Sequence, residues 1–276
     1  MAGNLFKKIS DFFYSVPRIL FINFYKLFTR TKIFNKKRIP SDRPAIFAIN
    51  HSADADPLIL LAATRKKIFF LAESGKFGNW ISNFFMRKLA NCIPIFKNQF
   101  FNNIKSFKEL LSIPKGKNVF FGIFPEGELN KKNKLKRFKR GAAYFSYKTK
   151  IPIIPVYMHN MNKAPDSKKW IWTNRISRGI ISLVRNSFRK IHIFIGKPIY
   201  PIAKSIKEDF KKLAKPENLK DILSDINEAL EDEFFSLKSE ADNLFGFSNE
   251  EYTSGTNMVD GSPEDNLTET TKKLNT

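Results

Sequence analysis

Ala45-Ile46-Phe47-Ala48-Ile49-Asn50-His51-Ser52-Ala53-Asp54-Ala55-Asp56-Pro57-Leu58-Ile59-Leu60-Leu61-Ala62-Ala63 is the stretch on which the reading of the fold turns. The unbroken apolar run 45–49 predicts a strand buried on both faces. Pro57 opens a run of helix formers, and proline belongs in a first helical turn, where its missing N–H leaves no bond unmade. A histidine and two carboxylates therefore stand on a strand-to-helix connection, the place where α/β folds carry their chemistry.

His51 needs a hydrogen-bonded carboxylate to act as a general base near neutral pH. The carboxylate fixes the tautomer and supports the imidazolium that forms. Asp56 can fold back across the turn to do this, and Asp54 is the nearer competitor. The plainer reading makes Asp56 a helix N-cap and Ser52 a turn former.

Outward from this stretch, further apolar runs of strand length appear at Lys67–Leu71, Cys92–Lys97, Val119–Phe124 and Ile151–Tyr157, and residues 176–200 read as one or two more strands. Helix patterns fall between them: a face of Phe77, Trp80, Ile81, Phe84 and Phe85, another of Ile104, Phe107, Leu110 and Leu111, and a third from Gly141 onward. Strands alternating with helices predict an α/β domain with a mostly parallel central sheet flanked by helices. The division expected is 1–36 as interface helices, 37–204 as the α/β domain, 205–247 as a C-terminal helical segment and 248–276 as a disordered acidic tail.

The 276 residues include 29 phenylalanines and carry a net charge of +22. Residues 221–276 hold fourteen acidic residues against three lysines, so the −11 there leaves +33 on residues 1–220. The body is attracted to something acidic: nucleic acid, anionic lipid, or a phosphorylated substrate or carrier. Residues 4–34 interleave large apolar residues with Lys7, Lys8, Arg18, Lys26, Arg30 and Lys32, and Pro17 divides them into an amphipathic helix pair suited to an anionic membrane surface. No stretch reaches the roughly eighteen uncharged apolar residues of a spanning helix. Phe12–Phe28 comes nearest but contains Arg18 and Lys26, and nothing after it looks like a signal cleavage site. One cysteine, Cys92, excludes an internal disulfide, and three scattered histidines predict no metal site. Cys92 reads as a small core residue, and His159 and His192 as structural.

Four segments occur in an order that resembles the glycerolipid acyltransferase family, which includes 1-acylglycerol-3-phosphate acyltransferase. His51 and Asp56 match its His-four residues-Asp motif. Ile93-Pro94-Ile95-Phe96-Lys97 matches an apolar strand ending in a basic residue, usually arginine. Phe124-Pro125-Glu126-Gly127 matches Phe-Pro-Glu-Gly without change, and Ile151-Pro152-Ile153-Ile154-Pro155-Val156 matches a proline-bearing strand. The likeness spans roughly residues 40–200. It departs after Gly127, where the family continues Thr-Arg-Ser and this chain has Glu128-Leu129-Asn130.

The resemblance implies acyl transfer from acyl-CoA or an acyl carrier protein to the hydroxyl of lysophosphatidic acid, giving phosphatidic acid for phospholipid synthesis. His51 would be the base, oriented by Asp56. Lys97 and the basic segment with Arg137, Lys139 and Arg140 would hold the phosphate, while Glu126 and Gly127 shape the acceptor pocket. Amides of the Asn50–Asp56 turn would stabilise the oxyanion. The resemblance further implies no metal, no resident cofactor, no nucleic-acid partner, and a peripheral or monotopic place on the cytoplasmic face of the cell membrane. Two alternatives stay open at this stage: an acyltransferase for another lysolipid, and a catalytically silent basic protein that binds membrane or nucleic acid.

Overall fold

The computed structural model describes residues 19–20, 23, 25–26, 29–73, 83, 86–87, 90–96, 119–127, 129, 137–161, 175–201 and 217–246. Seven strands make one sheet: β1 (Arg30–Phe34), β2 (Ala45–Ile49), β3 (Lys67–Glu73), β4 (Cys92–Ile95), β5 (Val119–Ile123), β6 (Ile153–His159) and β7 (Lys190–Ile195). Their order is β1-β7-β6-β2-β5-β3-β4, and every neighbouring pair is parallel except β6 with β7. The mostly parallel, helix-flanked sheet is the architecture expected from the alternating pattern.

β2 and β6 are buried along their whole length, as continuous apolar strands in the middle of a parallel sheet must be. Side chains alternate across β2. Ala45, Phe47 and Ile49 join one core with Ile59 and Leu60 of α1 (Asp56–Thr64), whereas Ile46 and Ala48 join a second with Ala142 and Phe145 of α2 (Gly141–Thr149). The second core is roofed by α4 (Glu217–Phe245), which comes after α3 (Arg175–Ser187) in the chain. Leu223, Ile226, Leu230, Phe234, Leu237 and Ala241, spaced by three and four, line the buried stripe of α4. The C-terminal helical segment is thus one layer of the α/β domain.

Two local readings are corrected. Residues 175–187 form helix α3, and only 190–195 a strand. Ile and Val favour strands locally, but Ile176, Ile180 and Leu183 also lie at helical spacing, and Leu183 packs on the first core, so tertiary packing overrides propensity. The amphipathic helical reading extends too far at the N-terminus. Arg30–Phe34 is an edge strand paired with β7, where Phe34 stacks on Phe194 at 4.7 Å. Charged and apolar residues mixed at short spacing fit either a helix or a half-buried edge, and the open edge of β7 decides between them. The helix faces read at 77–85 and 104–111 lie largely or wholly outside the described residues, as does the tail 247–276.

Candidate active site

Three adjacent parallel strands deliver their carboxyl ends to one place. β2 ends at Asn50-His51, β5 at Phe124-Pro125-Glu126, and β6 at Met158-His159. The chain crosses β2 between β5 and β6, which makes this a switch point of the sheet, where α/β folds open a crevice.

Asn50 locks the turn to β6. Its Oδ1 accepts from the Met158 amide at 2.7 Å, and its Nδ2 donates to Met158 O at 3.1 Å and to Ser52 Oγ at 3.0 Å. Removing the amide strands two buried backbone groups of Met158. Asn50→Ala should therefore cost about 2–4 kcal/mol, read as a lower urea midpoint at unchanged slope.

Asp56, not Asp54, meets His51. The Nδ1 of His51 lies 3.0 Å from Asp56 Oδ2, and the same oxygen accepts from the Ser52 amide at 2.8 Å and the Ala53 amide at 2.9 Å. The helix folds this way because Asp56 is its first residue, with Pro57 behind it and the positive end of the helix dipole under the carboxylate. The cap residue Ala55 supplies no side-chain bond. Asp56 thus serves the turn instead of capping from outside the helix. It is fully buried, which pushes its carboxyl above the ordinary range, while His51 and the two amides pull the other way. With Asp56 ionised, Nδ1 carries the proton and Nε2 keeps a lone pair, the arrangement of a general base.

Glu126 is buried at 1% exposure and turns toward the histidine, its Oε1 accepting the His51 amide at 3.0 Å. Phe124 stacks on the His51 ring at 4.1 Å and lies 6.0 Å from Phe70, so the imidazole has an aromatic floor. The amides of His51, Ser52, Ala53 and Asp56 are all spent, the last on Ala53 O. Four amides of the turn expected to stabilise the oxyanion are thus already paired.

Gly127, at φ +72°, makes the turn after this strand end, and its amide donates to Phe124 O. Lys139 lies over it, and its amide donates to Pro125 O at 2.8 Å. Arg137 and Arg140 are exposed nearby in sequence, and Arg140 occupies the cap position of α2. Lys97 lies outside the described residues. Phe124 as the floor of the histidine had no signal beyond its place in the motif, and Asn50 was visible only as a flank. His159 and His192 face each other in register on β6 and β7, away from this cluster, with Phe245 stacked on His192 at 3.6 Å. Among the described residues no three His, Cys, Asp or Glu side chains cluster as metal ligands.

Residues 30–159 match the family model described as Acyltransferase, the span that contains the whole His51 cluster. That stretch resembles an acyltransferase domain. The chain is 25% identical over 195 residues to the probable 1-acyl-sn-glycerol-3-phosphate acyltransferase of Mycoplasma pneumoniae, covering 69% of each. It is 29% identical over 179 residues to a chloroplastic 1-acyl-sn-glycerol-3-phosphate acyltransferase of Arabidopsis thaliana, covering 64% of this chain and 44% of that one. The match thus spans less than half of the plant relative. A solved structure, the 1-acyl-sn-glycerophosphate (LPA) acyltransferase PlsC from Thermotoga maritima, aligns over 77% of both chains at 19% identity with a TM-score of 0.45. The resemblance to glycerolipid acyltransferases read from four motifs holds, and the matched span reaches back to the edge strand β1.

Proposed function

We propose that this acyltransferase moves a fatty acyl group from acyl-CoA or an acyl carrier protein to the free hydroxyl of lysophosphatidic acid. The observation that carries the reading is the His51–Asp56 pair, held at the carboxyl end of β2 by Glu126 of the neighbouring strand end. His51 Nε2 takes the proton of the acceptor hydroxyl as its oxygen attacks the thioester carbonyl. Collapse of the tetrahedral intermediate breaks the C–S bond, and the imidazolium returns the proton to the departing thiolate. An ester and a free thiol result, with no acyl-enzyme. A thioester is already activated, so this chemistry calls on no metal and no resident cofactor.

The acceptor and the donor's carbon chain are lipid, so the proposal includes a peripheral or monotopic site on the cytoplasmic face of the membrane. Ile19 and Leu20, 54% and 64% exposed, and the basic residues around them support an anionic interface as the partner. Among the described residues no helix is long and apolar enough to cross a membrane.

The test is acyl transfer by the purified chain from acyl-CoA and from acyl carrier protein, with lysophosphatidic acid beside zwitterionic and uncharged lysolipids. Transfer to lysophosphatidic acid that vanishes in His51→Ala is expected. Transfer to another lysolipid alone would overturn the head-group assignment, and failure with every donor and acceptor would overturn the enzyme.

A further inference from the structure

Helix α3 has its polarity reversed for a helix that covers a core. Its inward positions are small and polar: Ser182, Asn186 and Ser187 are buried. Two of them bond within the helix itself, Asn186 Nδ2 donating to Ser182 O at 2.7 Å and Ser187 Oγ to Leu183 O at 2.8 Å. The outward positions are the large apolar ones. Val184 is 52% exposed, and Phe188, four residues on, is 79% exposed. A helix packed on a domain and facing water buries its apolar stripe and shows its polar one. The reversal calls for an apolar medium outside α3.

Charge says which medium. Residues 167–207, which include α3, hold ten lysines and arginines and no aspartate or glutamate. Arg185 and Lys190, next to Val184 and Phe188 in the chain, are exposed. The other face of the sheet has the opposite sign. Asp221, Asp225, Glu228 and Asp232, spaced by three and four, are exposed along α4. That helix roofs the second core, whereas Leu183 of α3 packs on the first. An anionic surface therefore attracts the α3 side and repels the α4 side. Large apolar side chains set among cations suit lipid, whose acyl chains take the former and whose head groups take the latter. Nucleic acid would use the charge and leave Val184 in water.

We propose that the outer face of α3 docks on an anionic membrane, with Val184 and Phe188 entering the acyl region and Arg185 and Lys190 meeting lipid phosphates. This rests on the membrane reading above and deepens it, since α3 lies outside residues 30–159 and adds a second contact to the N-terminal one. The two contacts are tied together. Tyr25, in the segment that carries exposed Ile19 and Leu20, donates its hydroxyl to Leu183 O at 3.3 Å. The docked side is also the side of His51, whose ring stacks on Phe124, a neighbour of the first core. A lipid acceptor thus reaches the base from the docked side of the sheet.

The test sediments the full chain, without donor or acceptor, with vesicles of phosphatidylcholine alone or mixed with phosphatidylglycerol. Wild type should partition onto the phosphatidylglycerol vesicles, and less so as salt rises. Val184→Ser with Phe188→Ser changes no charge and should lower the partition coefficient about 10- to 100-fold. Phe188→Trp should keep it at the wild-type value or above. Arg185→Gln with Lys190→Gln should lower it about 10-fold and flatten the salt dependence. Both double variants should keep the wild-type urea midpoint, because the side chains changed are exposed. An environment-sensitive dye on Phe188→Cys should shift to the blue on these vesicles, and the same dye on Asp225→Cys of α4 should not. The native Cys92 is buried, which shields it from the label.

If wild type binds and the serine variant binds equally, docking by α3 is overturned and the N-terminal contact stands. That holds even where the glutamine variant loses binding, the result expected of adhesion by charge alone. Wild type that stays off both kinds of vesicle would overturn the membrane reading as well. A lowered midpoint in the serine variant would assign the face to packing within the chain, and a wild-type dimer that this variant dissociates would assign it to a second copy. Either result overturns the proposal.

Discussion

Asp56→Asn lowers kcat/KM about 10³- to 10⁴-fold while the protein unfolds within about 1 kcal/mol of wild type. The large activity loss follows from the charge. An asparagine whose oxygen takes the place of Oδ2 can still accept the Ser52 and Ala53 amides and the His51 Nδ1 proton, but without a negative charge it no longer stabilises the imidazolium. The small stability change follows from burial. The Asp56 carboxylate is fully buried, and its Oδ1 finds no hydrogen-bond partner among the described residues. Desolvation raises its folded pKa, so the stability this group contributes is full below the ordinary carboxylate pKa and is lost as pH rises through the raised value. An ionised Asp56 therefore serves activity at a cost to the fold, and a neutral isostere loses little. The measurements are steady-state kinetics and a urea titration, with the rate followed over pH. Wild type should lose rate toward acid as the Asp56 carboxyl, raised by its burial, takes up a proton. A wild-type rate in Asp56→Asn would remove the carboxylate from the mechanism.

Gly122→Ala destabilises the domain by about 2–4 kcal/mol, against the local expectation. Replacing glycine in a strand usually helps, because alanine loses less backbone freedom on folding. Here the added Cβ would lie 2.3 Å from Cδ1 and Cε1 of Phe70 and 3.1 Å from Ile68 Cγ2. Phe70 is the registered partner of Gly122 on β3 and is fully buried, so its ring cannot swing out to solvent. The ring lies across the glycine and supports Phe124, which floors His51. A loss of activity larger than the stability change predicts should accompany the substitution. Denaturant unfolding of Gly122→Ala, Phe70→Leu and the double variant checks the cause, because relief of the clash makes the two effects markedly non-additive. Additive effects, or a Gly122→Ala protein as stable as wild type, would show that the close approach carries no weight.

Much of this site is legible along the chain because its chemistry is local. Ala45–Ile49 has no polar residue to face water, so it lies in the middle of a sheet, and Pro57 starts the next segment as a helix. His51 and Asp56 are five residues apart across a turn that the helix start closes, and the motif Phe124-Pro125-Glu126-Gly127 marks a second strand end. Short sequence separation makes such geometry a property of the segment. Long-range packing decided the rest. Which carboxylate meets His51 depended on where the turn before the helix put the Ser52 and Ala53 amides, and only the fold shows Glu126 reaching across to the His51 backbone. Arg30–Phe34 became a strand because β7 offered it an edge, and residues 175–187 became a helix despite their β-branched side chains because Leu183 packs on the first core. Glu231 and Asn227 bond the Phe138 backbone from about ninety residues away and carry no pattern that points to it. A hydrogen bond between distant segments leaves no periodicity in either one, so contacts of this kind exist only once the chain has folded.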